Sequence, residues 1–316
     1  MQSEIKALMQ VGMGLIKTIT SFGKSRRRCR TVSKLQVLLV DSRSTRRLTW
    51  LILTKDRPLQ FDALLRSLKE SLGCAAPCEV LYRATSDRSL KAYYEVFTRH
   101  ADLVPRPRRE TKFKRDVIEM VSATRGDRVA FLVDDLVFVS PVDLGLVLAV
   151  DPCVATYSFR LGLRIVRCQT HDVPSGRPPF VKPKGLPEQW LAWPWSMGKG
   201  DWWVRNSLDG NVLSRDLLLA GLHSNRNFQG PQTLEEMLCG CRFGTELGVC
   251  NMEPQAINIA INRVSSERKI YPHGTVSADD LLHAWESGLQ VDLPTLRAMR
   301  PDSCHVVCDL PLEPRR

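Results

Sequence analysis

The chain has 316 residues, enough to bury a substantial core, and its 43% hydrophobic and 25% charged residues exclude disordered, collagen-like and multi-span membrane classes. Its net charge of +11 is concentrated in residues 1–46, where ten Lys or Arg meet only Glu4 and Asp41, so that segment holds +8 of the total. A nucleic-acid-binding domain carries its positive charge on the folded face that meets phosphate, so no nucleic-acid partner is expected.

Residues 1–46 read as a basic N-terminal extension. Ile5 to Phe22 is apolar but is broken by Lys6 and Lys17, and the basic run Lys24–Arg30 follows it. That order is not a secretory leader, and the stretch is too short and mixed to span a bilayer. Two readings stay open: a basic amphipathic helix over residues 5–30 lying on an anionic membrane surface, or a disordered upstream extension. The expected location is cytoplasmic, with peripheral contact at the inner face of the membrane under the first reading.

A domain over residues 47–316 follows. Leu48-Thr-Trp-Leu-Ile-Leu53 predicts a buried strand that stops at Thr54-Lys-Asp-Arg-Pro58, where Pro58 cannot continue the ladder. Phe61, Leu64, Leu65 and Leu68 recur at helical steps, and Gly73 is a natural stop. Cys78 to Tyr82 predicts the next strand. Strand, helix, strand implies a parallel buried sheet with a right-handed crossover. Leu90–His100 and Lys112–Ala123 read as helices, Arg128–Val133 as a third strand running into Asp134-Asp135, Leu136–Val139 as its sequel, and Val154–Ser158 as a fourth strand.

Gln169 to Asp209 holds several prolines and Trp190, Trp193, Trp195, Trp202 and Trp203, and predicts an irregular excursion off the sheet. These tryptophans could stack on a sugar ring or pack under the loop. Leu213–Leu222, Thr233–Cys239 and Ala278–Ser287 predict helices. The ten cysteines include two C-x3-C pairs, Cys74/Cys78 and Cys304/Cys308, and one C-x-C, Cys239/Cys241; none matches zinc spacing, so buried reduced thiols are expected.

Asp134-Asp135 is the sharpest chemical feature. Two acids at the carboxyl end of an apolar strand sit where open α/β sheets bind ligands. They repel each other unless a cation compensates them, and a hard divalent ion, Mn2+ or Mg2+, that also binds a diphosphate would do so. The alternative is a turn pair in which one Asp caps and the other is solvated.

Leu53-Thr-Lys-Asp-Arg-Pro58 with its following helix, and Phe131-Leu-Val-Asp-Asp-Leu-Val-Phe138, resemble the family-2-like glycosyltransferases of bacteria. Ser158–Leu163, Ser207-Leu-Asp-Gly210 and Pro231 to Glu235 continue the resemblance, which spans about Arg47 to His305. It implies a GT-A-like α/β fold, a mainly parallel sheet flanked by helices, and transfer of a sugar from a nucleotide-sugar donor to a glycan, lipid-linked or protein acceptor. It places Thr54, Lys55, Asp56 and Arg57 near the nucleoside, and Asp134 and Asp135 at the metal. The family's acidic motif has a third acid where this chain has Leu136, so two further arrangements stay open: Asp134 on the ribose with Asp135 on the metal, or a metal dependence weaker than usual. His305 is a candidate third metal ligand, as a late His serves in some GT-A enzymes.

Transfer with inversion needs a general base. Asp209, before Gly210, and Glu235, early in a helix, are the joint candidates; Glu236 is a third, with dipole complementation as the plainer role for the last two. Arg160, after a strand, could pair with the diphosphate or serve an internal ion pair. Two rival readings remain. One is a nucleotidyltransferase, although its glycine-rich loop is missing after the first strand. The other is a non-catalytic sugar- or nucleotide-binding protein, for which Leu136 speaks.

Overall fold

A computed structural model of the chain describes residues 47–315 apart from 75, 170, 225–226, 242–244, 263, 265–273 and 275. The basic extension over residues 1–46, with its membrane-surface segment at 5–30, lies outside the described residues.

In chain order the elements are β1 (Leu48–Lys55), α1 (Pro58–Leu72), β2 (Cys78–Arg83), α2 (Asp87–Arg99), β3 (Arg108–Arg109), α3 (Phe113–Ala123), β4 (Arg128–Val133), β5 (Leu136–Phe138), α4 (Leu144–Ala149) and β6 (Ala155–Ser158). Then come β7 (Arg167–Cys168), β8 (Val173–Pro174), β9 (Trp190–Pro194), β10 (Asn211–Ser214), α5 (Arg215–Ser224), α6 (Pro231–Gly240), β11 (Leu247–Asn251) and β12 (Ala256–Ile259). The chain closes with α7 (Ala278–Glu286), β13 (Leu289–Val291), α8 (Leu293–Ala298), β14 (His305–Val306) and β15 (Leu312–Pro314).

The main sheet has the order β3-β2-β1-β4-β10-β6-β11-β9. β3, β2, β1 and β4 are mutually parallel; β10 runs against β4 and β6, so β6 and its parallel neighbour β11 point the same way as β4. This is the mostly parallel, helix-flanked α/β architecture that the resemblance implies. Alternation along each strand divides the core between two faces. Trp50, Ile52, Ala130 and Leu132 join Phe61, Leu64 and Leu68 of α1 and Tyr93, Val96 and Phe97 of α2. Leu51, Leu53, Val129 and Phe131 join Val117 and Val121 of α3, Leu218 and Leu222 of α5, and Leu234 and Leu238 of α6. α1 begins on Pro58, whose missing N–H is harmless at a first helical position, and ends at Gly73 in the left-handed region with φ 67°.

A second sheet, β14-β12-β5, stands beside the first. β5 belongs to it because the Asp134-Asp135 turn redirects the chain after β4.

Two readings change. Leu213 and Ser214 end strand β10 rather than open a helix, which starts at Arg215; the strand runs into the helix with no turn residue between them, so nothing in the local sequence marks the switch. The excursion from Gln169 to Asp209 is not wholly off the sheet. Trp190–Pro194 is the edge strand β9, antiparallel to β11, with Pro194 at its end, a place where proline is tolerated. Trp190, Trp193, Trp195 and Trp202 are buried and pack rather than face solvent, whereas Trp203 is 54% exposed. The Trp193 indole donates to the Trp202 carbonyl, and that of Trp202 to Ile165. The expected burial of the thiols holds for Cys78, Cys168, Cys250 and Cys304 but not for Cys74 and Cys153, which are exposed, and burial pushes Cys78, Cys250 and Cys304 upward in pKa. No helix among the described residues is long and apolar enough to cross a membrane.

Gly248 on β11 faces Trp193 on β9 in register. A Cβ there would lie 2.2 Å from the indole Cζ2, a contact the buried ring has little room to relieve. Gly248→Ala should therefore lower stability by about 1–3 kcal/mol, read as a reduced midpoint in urea unfolding followed by tryptophan fluorescence; an unchanged midpoint would contradict this packing.

Candidate functional site

Because β1 and β4 are parallel and paired Leu53 to Val133, their carboxyl ends emerge together. The turn after β1 presents Lys55, Asp56 and Arg57; the turn after β4 presents Asp134 and Asp135. β6 ends nearby in the same direction and delivers Arg160, while the antiparallel β10 begins at that edge, so Asp209 and Gly210 precede it there. Asn258 comes from β12 and His305 from β14 of the second sheet. The sheet thus gathers Arg57, Asp134, Asp135, Arg160, Asp209 and His305 at one edge, where α/β sheets bind ligands.

Arg57 closes the first half. Its Nη1 donates to Asp134 Oδ1 at 2.9 Å and to Asp135 Oδ2 at 3.1 Å, and its Nη2 donates to the Asn262 carbonyl at 2.6 Å. The Lys55 backbone N–H donates to Asp134 Oδ2 at 3.0 Å, and Asn258 Nδ2 to Asp135 Oδ1 at 2.8 Å. All four oxygens of the acid pair therefore accept a protein hydrogen bond. Burial, then the neighbouring Asp135 charge, pushes Asp134 above its ordinary pKa against the pull of Arg57. Burial acts to lower Arg57, but the two carboxylates outweigh it and the guanidinium is held charged.

The rest of the first turn is engaged elsewhere. Thr54 is buried with its hydroxyl 2.6 Å from that of Tyr93. Asp56, at φ 52°, takes a backbone shape that Asp tolerates better than most residues. Its carboxylate accepts from the Thr85 backbone and hydroxyl and from Ser89, tying the turn to the β2–α2 loop. The Lys55 ammonium donates to the Val264 carbonyl at 2.9 Å.

Arg160 organises the second half. Its Nη1 donates to Asn258 Oδ1 at 3.0 Å and pairs with Asp209 Oδ2 at 3.1 Å; its Nη2 donates to Ser207 Oγ at 2.9 Å. Ser207 in turn donates to Glu235 Oε1 and accepts from the Asp209 backbone N–H. That hydroxyl thereby uses its one donor and both acceptor lone pairs. His305 Nε2 lies 3.4 Å from Arg160 Nη1 and 3.6 Å from Asp209 Oδ2, on this half of the site. Glu236 is exposed on the outer side of α6.

The two candidate bases differ in environment. For Asp209, burial pushes the pKa up, but Arg160 and His305 outweigh it and hold the carboxyl below its ordinary range. For Glu235, burial and the adjacent Asp209 charge push the pKa up, against weaker pulls from Ser207 and Arg160. Paired carboxyls driven apart in this way suit different roles.

Among the described residues no three His, Cys, Asp or Glu side chains gather as a metal site. Asp134 and Asp135 stand together, but Arg57 occupies the space between them, and His305 is placed against Asp209 and Arg160. The pair as arranged does not fit a divalent ion without displacement of Arg57.

Ser207, Asn258, Asn262, Gln60 and Tyr93 enter the site without having been singled out. Only Ser207 carried a signal, as the first residue of the Ser207-Leu-Asp-Gly210 stretch. Asn258 joins the two halves, since one side chain serves both Asp135 and Arg160.

Neither a protein-family model nor a curated protein matches the chain. Among solved structures it is similar to a mannosyltransferase from Pyrobaculum calidifontis in complex with GDP-Man and Mn2+, at 19% identity and TM-score 0.33 over 46% of each chain. It is also similar to a nucleotidyl transferase from Methanothermobacter thermautotroptrophicus, at 14% identity and TM-score 0.30 over 66% of this chain and 88% of that one. A third is the glycosyltransferase GlyE of Streptococcus pneumoniae in its apo form, at 11% identity and TM-score 0.27 over 77% of this chain and 64% of that one. The chain spans less than half the length of the mannosyltransferase. Likenesses of this size decide nothing about activity.

Ser207→Ala removes the donor that favours ionised Glu235, so the Glu235 pKa should move further up. A carboxyl raised in the folded state stabilises the fold while protonated, below its ordinary pKa, and that contribution is lost as pH rises through the folded value. The destabilisation by Ser207→Ala, about 1–3 kcal/mol, should therefore be larger near neutral pH than in mild acid when urea unfolding is compared with wild type. A pH-independent difference would mean that Ser207 does not set the ionisation of Glu235.

Proposed function

We propose that the chain is a nucleotide-sugar-dependent glycosyltransferase whose donor diphosphate lies along the carboxyl edge of β1, β4 and β6. The observation that carries this reading is one continuous polar network, Arg57–Asp134–Asp135–Asn258–Arg160–Asp209, with Ser207 and Glu235 at its far end. It combines three cations, Lys55, Arg57 and Arg160, with a carboxyl whose proton affinity is raised. Those are the two needs of glycosyl transfer: charge stabilisation at a leaving phosphate and a base at the acceptor hydroxyl.

In this reading Glu235 is the general base and Asp209 holds Arg160. Glu235 makes no ion pair among the described residues, and burial with the adjacent Asp209 charge raises its pKa, so it holds an abstracted proton more readily than an ordinary carboxylate. Asp209 is spent on Arg160 and is a poorer base because its pKa is lowered. As the acceptor oxygen attacks the anomeric carbon, its proton passes to Glu235. The new carbon–oxygen bond forms, the bond from the anomeric carbon to the donor phosphate oxygen breaks, and the electron pair leaves with the nucleoside diphosphate. Arg57 and Arg160 are fixed cations near that developing charge, held in place before substrate arrives. The nucleoside falls to the Lys55–Arg57 turn, by its position beside the acid pair.

A thermal-shift panel against UDP, GDP, CDP and dTDP tests donor binding. One nucleotide at about a hundred times its dissociation constant should stabilise the protein by about 2.7 kcal/mol, and a folded sample that none of them stabilises would remove the reading. With a donor and acceptor in hand, Glu235→Gln should reduce kcat by about 10²–10⁴-fold. The wild-type kcat/KM should fall on the acid side at a pH above the ordinary carboxylate range, because the base is active only when deprotonated. A nucleotide that binds but supports no transfer to any acceptor would favour a non-catalytic binding protein instead, and release of pyrophosphate would favour a nucleotidyltransferase.

A further inference from the structure

We propose that Arg57 is a built-in cation standing where a divalent ion was expected, so that the site takes a nucleoside diphosphate without a metal. The acid pair is served from inside the protein. A single nitrogen, Nη1, lies 2.9 Å from Asp134 Oδ1 and 3.1 Å from Asp135 Oδ2, in the space between the two carboxylates that a bridging ion would need. An ion drawn to the same two oxygens, at the 2.0–2.6 Å that is typical of roughly all Mg2+ and Ca2+ contacts, would press against a like charge. The other two oxygens of the pair already accept from the Lys55 N–H and from Asn258.

Among the described residues the surroundings do not complete a metal site either. Leu136, which holds the place of a third acid, is fully buried in the apolar cluster beneath β5. His305 is committed to the Arg160–Asp209 side. The charge partner of both acids is Arg57, through one nitrogen.

Arg57 is also held in place and still has capacity. Its backbone N–H donates to the Tyr93 hydroxyl at 3.2 Å, and its Nη2 to the Asn262 carbonyl at 2.6 Å. A guanidinium carries five N–H donors. Nη1 spends both of its hydrogens on the acids and Nη2 spends one, while Nε is buried without a partner among the described residues. Nη2 thus keeps one hydrogen and Nε one, donors of the kind that phosphate oxygens accept. Gln60 Oε1 and Asn262 Nδ2 are likewise buried and without a partner among the described residues, although the two side chains bond each other through Gln60 Nε2 and Asn262 Oδ1 at 3.0 Å. Orphaned polar atoms grouped in this way are unusual in a closed core and point to a polar ligand.

The metal half of this inference stands on side-chain geometry; the phosphate half rests on the donor-site reading above. Mn2+ titration of the full chain, followed by loss of the free-ion electron paramagnetic resonance signal, tests the first. Wild type should leave Mn2+ free, as should Arg57→Lys, which keeps the charge. Arg57→Gln, with the acids uncompensated, should bind Mn2+ at least about tenfold more tightly. One Mn2+ bound per wild-type chain, and lost in Asp135→Asn, would overturn the proposal, and this comparison decides it even if Arg57→Gln does not fold. For the second half, the nucleoside diphosphate that stabilises wild type should do so equally in EDTA and in Mn2+. A shift that appears only with Mn2+ would overturn it. No shift under either condition would sink the donor reading and the phosphate half with it, leaving the titration to decide whether Arg57 holds the cation's place.

Discussion

The site depends on one ion-pair cluster: a buried guanidinium between two adjacent carboxylates at the ends of parallel strands. Asp134 and Asp135 follow directly on a strand whose last five residues, Val129–Val133, are apolar, and both are largely shielded from water. Leaving such a pair uncompensated would be strongly unfavourable, while a well-placed partner makes the burial tolerable. Parallel pairing of β1 with β4 brings the carboxyl ends of the two strands together, so that Arg57, two residues past the end of β1, reaches both Asp134 and Asp135. Pro58 then starts α1 one residue after Arg57, which fixes where the chain leaves the site.

From that cluster the polar contacts propagate in one direction. Asn258 accepts from Arg160 and donates to Asp135, so an amide joins two charged groups that would otherwise meet as separate sites. Arg160 binds Asp209 directly and reaches Glu235 only through Ser207. The ordering has an electrostatic consequence. Asp209 receives a cation at contact distance that outweighs its burial and holds it below the ordinary range; Glu235, buried beside the Asp209 charge with only a hydroxyl and the more distant Arg160 to offset them, is pushed the other way. Two carboxyls of similar intrinsic acidity acquire different proton affinities through the choice of partner.

Much of this architecture was readable from residues in order. Long apolar runs such as Leu48–Leu53 and Arg128–Val133 announce buried strands, and the three- and four-residue steps from Phe61 to Leu68 announce a helix. The carboxyl end of a strand is also a generic ligand position, so Asp134-Asp135 could be picked out without a structure. β9, β11 and β12 were less visible because each is four or five residues long and lies among turns, where pairing rather than local pattern decides the state. The role of Arg57 was harder still. In sequence it is one basic residue in a polar turn, and its partners lie 77 and 78 positions away. Ser207, Asn258 and Asn262 are short polar residues whose function exists only once tertiary structure brings an arginine or a carboxylate to them.

Leu136 shows how a departure from a motif should be weighed. Read along the chain, a leucine in the third acidic place weakens the case for a functional site. In three dimensions that position has crossed into β5, pairs with Asn258 of β12 and faces the apolar cluster, where a carboxylate would be buried without a partner. The leucine serves the junction between the two sheets, and that junction holds Asn258 against both Asp135 and Arg160. A third acid would therefore add charge to a pair that already has its cation and weaken the packing that aligns the bridge. The substitution is consistent with a site that obtains its positive charge from Arg57, and the same residue that looks like a defect in the motif supports the geometry on which the proposed chemistry depends.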